Sequence, residues 1–266
     1  MNKPVLSVRQ LSVTHRLSGR VVNVLDQVSF DLHQGEILAL VGQSGSGKTK
    51  TAESILGLLP PDRWDISAQA IELNGSDLAA LPESGLRKIR GRSISMIFQE
   101  PLTALDPVFT VGNQLCSVFT RHRGQRRREA QTSAQAALGR VGFPDPGHVM
   151  RRYPHQLSGG MRQRVMIAMA MACRPSILIA DEPTTALDVT TQAQVLDQLV
   201  QLGQKDGVSL LLITHDLGIV AQYCDRALVM LDGKIVEQAS VEELFANPRH
   251  VYTKALLNSA AGAKPK

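Results

Sequence analysis

The fold of this 266-residue chain is decided by the stretch Gly42-Gln43-Ser44-Gly45-Ser46-Gly47-Lys48-Thr49. It fits the pattern G-x-x-x-x-G-K-[ST], and it lies between the apolar run Ile37–Val41 and a helical pattern that starts at Lys48. Glycines allow the backbone to curl so that successive N–H groups point into one concavity, and a helix N-terminus adds partial positive charge. The stretch therefore predicts a phosphate-binding loop between a buried strand and a helix.

Nucleotide chemistry suggests a role for the side chains of this loop. Lys48 is expected to reach the β- and γ-phosphates as a point charge, and the Thr49 hydroxyl is expected to bind Mg²⁺. The alternative is an ordinary glycine-rich turn between a strand and a helix. The residues predicted to bind the nucleotide here are Gly42, Ser44, Gly45, Ser46, Gly47, Lys48, Thr49 and Thr51.

A second apolar run, Ile177–Ala180, is followed directly by Asp181 and Glu182. Such a pattern is typical of a buried strand that delivers carboxylates to its C-terminal edge, where ligands bind in open α/β sheets. Asp181 is predicted to hold Mg²⁺ through water or via Thr49, and Glu182 to polarise an attacking water. The alternative is that the two acids only cap the following turn.

Composition excludes several classes of protein. Apolar residues make up 43% and charged residues 20%, which argues against intrinsic disorder. The longest apolar run, Val165–Cys173, is far shorter than the roughly 18 residues needed to cross a bilayer, and no apolar targeting core follows Met1. Widely spaced cysteines indicate a reducing, cytoplasmic location and argue against disulfides or a zinc site. They are Cys116, Cys173 and Cys224.

Around the loop, strand-like and helical patterns alternate. Strand–helix–strand repetition with short connections predicts right-handed crossovers and a mainly parallel sheet. From about Glu100 to Ala172 strand runs disappear and helical spacing takes over, which predicts a helical insertion. The predicted strands are Val5–Val13, Val28–Leu32, Ile37–Val41, Ser93–Phe98, Ile177–Ala180, Leu210–Thr214 and Ala227–Leu231, and the predicted helices include Lys48–Leu59, Thr190–Lys205 and Leu217–Tyr223.

A second candidate phosphate site lies at Leu157-Ser158-Gly159-Gly160-Met161-Arg162-Gln163, just before the apolar helix Val165–Cys173. Ser158 and the two glycines have the chemistry of a helix N-terminus that binds an anion. The phosphates of one nucleotide need only one such anion-binding helix N-terminus within a chain. The sequence therefore predicts that two copies pair head to tail and that each closes the nucleotide site of the other.

With these segments in this order, the chain resembles the ATP-binding cassette (ABC) ATPases over nearly its whole length. The resemblance implies an α/β fold: a P-loop NTPase core with a mainly parallel sheet, an N-terminal antiparallel β subdomain and an inserted α-helical subdomain. It implies one domain, 1–266, with a catalytic core at 1–99 and 173–266 and a helical subdomain at 100–172. The matching segments are the P-loop Gly42–Thr49, the Q-loop Phe98-Gln99-Glu100, the signature Leu157–Gln163, the acidic strand end Asp181-Glu182, the D-loop Ala186-Leu187-Asp188 and the switch histidine His215.

The resemblance implies roles within one copy. Glu182, His215 and Gln99 are the expected catalytic residues: Gln99 contacts Mg²⁺ or the lytic water, and His215 bonds the γ-phosphate. Family members usually carry an aromatic residue after the first strand to stack on adenine, and the matching position here is His15. Imidazole offers less stacking area than tyrosine. His15 is therefore either the adenine platform or an ordinary loop residue.

Other implied roles act across the dimer. Ser158, Gly159 and Gly160 are expected to bind the ATP of the opposite copy, and Asp188 to cross the interface. Position 161 is Met where the family usually has Gln. Because Ser158 and both glycines remain, little harm is expected from this difference.

Two further segments resemble the peptide and nickel importer branch. They are the stretch from Gln99 to Pro107 and the C-terminal stretch Asn247–Leu257, in which Val251 replaces the usual proline. The chain shows no cysteine-rich tail for an iron–sulfur cluster, which favours the nickel or metal-complex subgroup. The implied function is the ATPase subunit of an importer of peptides or nickel complexes, with ATP and Mg²⁺ as cofactors.

The expected partners are a second identical or paralogous cassette, two permeases and an extracytoplasmic solute-binding protein, without nucleic acid. The expected location is peripheral, on the cytoplasmic face of the inner membrane. The alternatives are a soluble ABC-type ATPase that acts on nucleic acid or ribosomes, and a non-hydrolysing regulatory cassette.

Permease coupling is expected at Glu100–Phe109, where Pro101 and Pro107 predict a shaped loop that moves with Gln99. The chain carries a formal charge of +5, part of which falls in a short arginine-rich stretch, 121–128. That stretch is either a solvated helix face or a contact for lipid headgroups or a partner.

Overall fold

The structure, a computed structural model, describes residues 3–17, 20–99, 104–185 and 187–262. It contains two compact units, one formed by residues 1–86 and 209–266 and the other by residues 87–208. Within the described residues, no helix combines the length and apolarity needed to span a bilayer.

In chain order the described elements are β1 (Pro4–Leu17), β2 (Arg20–His33), β3 (Ile37–Val41), α1 (Lys48–Ile55), β4 (Trp64–Ser67), β5 (Ala70–Leu73), β6 (Ser76–Asp77), α2 (Glu83–Ile89), β7 (Ile94–Ile97), α3 (Val111–Arg123), α4 (Arg127–Arg140), α5 (Pro146–Met150), a 3₁₀ turn (Pro154–Gln156), α6 (Gly159–Met171), β8 (Ile177–Asp181), α7 (Val189–Asp206), β9 (Ser209–Thr214), α8 (Leu217–Tyr223), β10 (Arg226–Leu231), β11 (Lys234–Ser240), α9 (Val241–Ala246) and α10 (Val251–Gly262).

An antiparallel sheet forms much of the first unit. β1 pairs with β2, β4 and β5, and β5 pairs with β6. Leu6, Val8, Leu11 and Val13 of β1 are fully buried, so the inner face of the strand is apolar. The sequence pattern does not predict β4, β5 or β6, because these strands have at most four residues each and depend on pairing: β4 and β5 pair with β1, and β6 pairs with β5.

A second sheet of the first unit has the strand order β11-β10-β3-β9. β3 pairs in parallel with β10 and β9, whereas β10 and β11 are antiparallel. Every residue of β3 and β9 is buried, as expected for continuous apolar runs inside a parallel sheet. Val41 and Thr214 are partners in the parallel ladder of β3 and β9. Because parallel strands end at the same edge of a sheet, the residues that follow these two lie side by side.

Helix α1 ends at Ile55, four residues before the predicted end at Leu59. The reason is Gly57, which takes a left-handed conformation with φ of 61° and donates its N–H to the carbonyl of Ser54. Such a glycine terminates a helix by satisfying a carbonyl of the last turn. The prediction that Pro60 and Pro61 stop the helix was therefore wrong.

The second unit combines the parallel pair β7 and β8 with helices. All regular elements described between residues 104 and 176 are helical, as the spacing of apolar residues predicts. Thr110 caps α3 by accepting the N–H of Asn113, and Gly124 ends this helix with a φ of 64°. The buried faces of α3 and α4 are formed by Val111, Leu115, Phe119, Ala130, Ala134 and Leu138.

The three cysteines are free thiols. Burial raises the pKa of Cys224 to about 12, with a further contribution from Asp225. Burial also raises the pKa of Cys116 and of Cys173. Since the thiolate is the reactive form, these side chains are poor nucleophiles at neutral pH.

Candidate functional site

The glycine-rich loop lies between the buried strand β3 and helix α1, as the sequence predicts. Lys48 is 6% exposed, and its ammonium group donates to the carbonyls of Gly42 and Gln43 at 2.8 and 3.0 Å. The first N–H groups of α1 have no acceptors within the helix. The loop thus combines one buried cation with a helix N-terminus.

Two glycines of the loop are required by their neighbours. A Cβ on Gly42 would lie 2.3 Å from the carbonyl oxygen of Met230. At Gly47 the φ of 108° is strained for an L side chain, and a Cβ would lie 2.6 Å from the side chain of Leu25. By contrast, a Cβ on Gly45 would meet nothing within 4 Å, so the loop is open on this side.

His215 follows β9 at the same sheet edge as the loop. Thr214 is the ladder partner of Val41, so His215 and Gly42 are the next residues of neighbouring parallel strands. His215 is exposed, and Asp216 after it caps α8 by accepting the N–H groups of Gly218 and Ile219. The first unit therefore brings His215 and the phosphate loop together.

The second unit places Asp181 and Glu182 at the end of the buried strand β8. Asp181 is 2% exposed. The carboxylate of Glu182 accepts hydrogen bonds from the Gln99 amide at 3.0 Å and the Thr185 hydroxyl at 2.9 Å. Three of the predicted site residues thus meet at one edge, and Thr185 is a contact that the sequence does not reveal.

Glu182 has a left-handed backbone with φ of 43°. For a residue other than glycine this conformation costs about 1–2 kcal/mol. The following turn holds it, because Thr185 donates its N–H to the carbonyl of Glu182. The strained backbone and the two side-chain bonds orient the carboxylate.

The segment at Ser158 forms a helix N-terminus, as predicted. Ser158 caps α6, and its hydroxyl accepts the N–H of Met161 at 3.3 Å. This bond uses only the backbone of Met161, which explains why a methionine is compatible here. Ser158 and Gly159 are exposed, and a Cβ on Gly160 would lie 2.6 Å from the Thr191 methyl group.

Asp188 caps the neighbouring helix α7. Its carboxylate accepts the N–H of Thr191 at 3.0 Å. The pKa of Asp188 is lowered by hydrogen bonds from the Thr191 backbone and then from the Thr191 side chain. Two exposed caps, Ser158 and Asp188, therefore lie at the N-termini of helices in the second unit.

His15 stacks on Trp64, its ladder partner in β4, with ring centroids 4.1 Å apart and planes at 14°. The ammonium group of Lys50 lies 5.0 Å from the centroid of the Trp64 ring. His15 is thus part of an aromatic pair rather than an isolated loop residue. Trp64 is the residue that the sequence patterning missed, although it is the only tryptophan in the chain.

Comparison with known proteins decides the family. Residues 25–185 match the ABC transporter family. This chain belongs to that family. It is 50% identical over 255 residues to the dipeptide transport ATP-binding protein DppD of Bacillus subtilis, covering 96% of this chain and 76% of the relative. It is 48% identical over 255 residues to the oligopeptide transport ATP-binding protein AppD of the same organism, covering 96% and 78%.

Solved structures agree with this ABC fold. The dimeric, post-hydrolysis ATP-binding cassette MJ0796 bound to ADP and Pi has a TM-score of 0.78 at 26% identity, covering 89% of this chain and 98% of the other. CbiO1 from Clostridium perfringens, part of the ABC transporter complex cbiONQ, has a TM-score of 0.76 at 26% identity, covering 99% and 97%. The α/β fold and the ATPase activity expected from the sequence are confirmed.

One predicted contact of this ABC ATPase needs correction. Thr51 was expected to touch the nucleotide, but it is fully buried and its hydroxyl donates to the carbonyl of Gly47 at 3.0 Å. Because its hydroxyl is used inside the protein, Thr51 supports the loop instead. Parts of three predicted segments lie outside the described residues. They are Glu100 of the Q-loop, Ala186 of the D-loop and residues 100–103 of the expected coupling segment.

The donors present fit a magnesium nucleotide. The loop is open at Gly45, and the buried Ser46 hydroxyl has no hydrogen-bond partner within the described residues. A cation and helix N–H groups suit phosphate, while hydroxyl and carboxylate oxygens suit Mg²⁺. Thr49 is a hydroxyl residue of the first unit, and Asp181 is a carboxylate residue of the second.

Proposed function

We propose that this chain is the ATP-hydrolysing subunit of a peptide importer and works as a peripheral protein on the cytoplasmic face of the inner membrane. The main support is its 50% identity to a dipeptide transport ATP-binding protein over 96% of the chain. The phosphate loop and the bonded Glu182 carboxylate supply the chemistry that such a subunit requires.

ATP binds first to the glycine-rich loop of this proposed site. Lys48 turns from the loop carbonyls towards the β- and γ-phosphates, and the N–H groups at the start of α1 bind phosphate oxygens. Thr49, Asp181 and Gln99 would hold Mg²⁺, which would neutralise charge on the phosphates. The remaining proposed phosphate contacts are Gly42, Ser44, Gly45, Ser46 and Gly47.

Hydrolysis is assigned to Glu182, with help from Gln99, Thr185 and His215. The carboxylate accepts a proton from the attacking water as the water oxygen bonds to the γ-phosphorus; the bond from that phosphorus to the oxygen bridging the β- and γ-phosphates breaks, and ADP and inorganic phosphate leave. Gln99 and Thr185 hold the carboxylate in place by donating to it. His215, which follows β9, donates a hydrogen bond to the γ-phosphate and stabilises its negative charge.

The base of ATP rests on the pair formed by His15 and Trp64. Stacking on Trp64 covers one face of the imidazole, so adenine uses the opposite face. Because two stacked rings present a rigid surface, this pair offsets the smaller area of imidazole relative to tyrosine. Lys50 adds a positive charge beside the same platform.

The site is completed by a second cassette, identical or paralogous, in a head-to-tail dimer. The exposed residues Ser158 and Gly159, with Gly160, contribute a helix N-terminus to the opposite ATP, and Asp188 lies at the interface. In this proposal the catalytic core comprises 1–99 and 173–266, and the helical subdomain with the signature comprises 100–172. The dimeric MJ0796 cassette supports this arrangement by analogy.

If this chain self-associates, its specific ATPase activity is expected to rise with protein concentration. The physical reason is that each site needs Ser158 and Gly160 from another copy. The measurement is a dilution series of the purified chain, with the oligomeric state followed by light scattering. A constant specific activity in a sample that stays monomeric would contradict the sandwich arrangement.

A groove of about 960 Å³ in the second unit is the proposed docking site of a permease. It is lined by Asp106 and Phe109 from the predicted coupling loop and by Arg121 and Arg127 from the arginine-rich stretch. An exposed apolar pair adjoins the groove: Phe109, which lines it, is 51% exposed, and the preceding residue Val108 is 70% exposed. Groove size, exposed apolar rim and cationic wall suit a short amphipathic helix from a membrane protein.

Replacing Val108 and Phe109 together by Ser is expected to leave ATP binding unchanged and to detach the permease or abolish coupled transport. These side chains are exposed, so folding does not depend on them. The measurement is co-purification of the co-expressed permeases, with Val189→Ser as a control because Val189 is 83% exposed and outside the groove. Normal recovery of the permeases with the double variant would place docking elsewhere.

Leu105 is a poor position for cross-linking, because it is 1% exposed. A single cysteine at Val108, in a background without the three native cysteines, is the better probe of the same loop. A second probe at Arg128 reports on the end of the arginine-rich stretch outside the groove lining. Cross-links from Val108 to the permease support the proposal. Cross-links from Arg128 alone would place the permease contact on the arginine-rich stretch outside the groove.

Peptide is the preferred cargo because both quoted relatives are named for dipeptide or oligopeptide transport. These names do not favour nickel, the alternative cargo considered from the sequence. They also favour a transporter over the soluble ATPase that acts on nucleic acid or ribosomes. In this proposal the two permeases and an extracytoplasmic binding protein complete the system.

The function is tested by uptake of a labelled dipeptide in cells that lack this chain. Restoration by the wild-type chain, but not by Glu182→Gln, is the expected result. Uptake of ⁶³Ni²⁺ in the same cells serves as the comparison. Dependence of nickel uptake alone on this chain would overturn the peptide assignment.

A further inference from the structure

The C-terminal segment reaches the phosphate loop. Helix α10 belongs to the same unit as the loop, and Tyr252 in its first turn packs against the buried cluster that includes Val41, the residue before Gly42. The hydroxyl oxygen of Tyr252 accepts the backbone N–H of Gln43 at 3.0 Å. This hydrogen bond thus joins a loop residue to a residue 209 positions further along the chain.

This bond acts on the peptide group that contacts the Lys48 ammonium. The N–H of Gln43 and the carbonyl of Gly42 belong to one planar peptide, in which they point in opposite directions. Tyr252 binds the N–H side, and the Lys48 ammonium binds the carbonyl side at 2.8 Å. Holding one side therefore sets the orientation of the other.

The position of Tyr252 is itself set by β11. The two carboxylate oxygens of Glu237 accept the N–H groups of Arg249 and His250 at 2.7 and 2.9 Å. His250 then accepts the N–H of Tyr252 on its Nδ1 atom at 3.2 Å. Because β11 pairs with β10, this chain of bonds ties Tyr252 to the same sheet that carries the loop.

We infer that Tyr252 is a positioning residue for ATP binding. Its hydroxyl holds the Gly42–Gln43 peptide so that the loop is preorganised around Lys48 before the nucleotide arrives. Binding to a preorganised loop avoids the cost of ordering it. The C-terminal segment thereby sets the affinity for ATP. This inference rests on the proposed assignment of residues 42–49 as the phosphate site.

Tyr252→Phe is the decisive variant, because it removes the hydroxyl and keeps the ring in the apolar cluster. The expected result for the full chain is a roughly three- to tenfold rise in the dissociation constant of ATP, the scale of one neutral hydrogen bond. In the assembled ATPase KM rises by a similar factor while kcat stays the same, since Glu182 is not altered. The Gln43 amide exchanges its proton faster in the variant.

Two control variants separate the possible outcomes. Val251→Ala changes a 77% exposed neighbour in the same helix, and we expect it to leave ATP affinity and Gln43 exchange unchanged. Lys48→Met tests the phosphate loop itself. If Lys48→Met does not weaken ATP binding, the proposed ATP site is wrong.

If Lys48→Met weakens ATP binding while Tyr252→Phe leaves affinity and Gln43 exchange unchanged, only the role of Tyr252 is refuted. A lower thermal midpoint for Tyr252→Phe with unchanged KM would give the hydroxyl a purely structural role and would also overturn the inference.

Discussion

Glu182→Gln is expected to lower ATP turnover by at least about 10²-fold, the scale of a lost general base. The amide occupies the volume of the carboxylate, but it cannot take a proton from water. ATP binding is expected to persist, because the phosphate loop is unchanged. The variant should therefore accumulate as an ATP-bound closed dimer, and size-exclusion chromatography with and without Mg²⁺-ATP measures this.

The matched control for this experiment is Glu242→Gln. Glu242 is an exposed acid in the first turn of α9 and lies in no proposed site. It is expected to retain full turnover. If Glu182→Gln also hydrolyses ATP at a near-normal rate, Glu182 is not the base.

Lys48→Met is expected to weaken ATP binding by about 10- to 100-fold, because it removes a charged donor aimed at phosphate oxygens. Methionine has a similar length and fits a position that is 6% exposed. The loss therefore occurs at binding rather than at the chemical step. Titration with a fluorescent ATP analogue gives the dissociation constant directly.

Lys205→Met provides a charge-matched comparison. Lys205 is an exposed residue in the last turn of α7. This variant changes net charge by the same amount and is expected to bind ATP normally. Equal affinity of the Lys48→Met and wild-type chains would show that phosphate binds elsewhere.

The site chemistry was largely readable from short sequence motifs. Gly42–Thr49 carries its own structural context, since the loop, its strand and its helix are contiguous in the chain. Likewise, Asp181 ends the strand β8, and Glu182 directly follows it. Local patterning also predicts the helix N-terminus at Ser158 and the helical character of the insertion. In each case the interacting residues lie within a few turns of one another.

The sequence by itself thus determined the fold class, the glycine-rich loop Gly42–Thr49 and the two acidic residues Asp181 and Glu182. Only the tertiary structure decided which residues support them. Trp64 stacks on His15 across 49 positions, and Tyr252 reaches Gln43 across 209. Such contacts follow from strand pairing and from the packing of α10 on the sheet, which bring distant segments together. Periodicity describes one segment at a time and therefore carries no information about them.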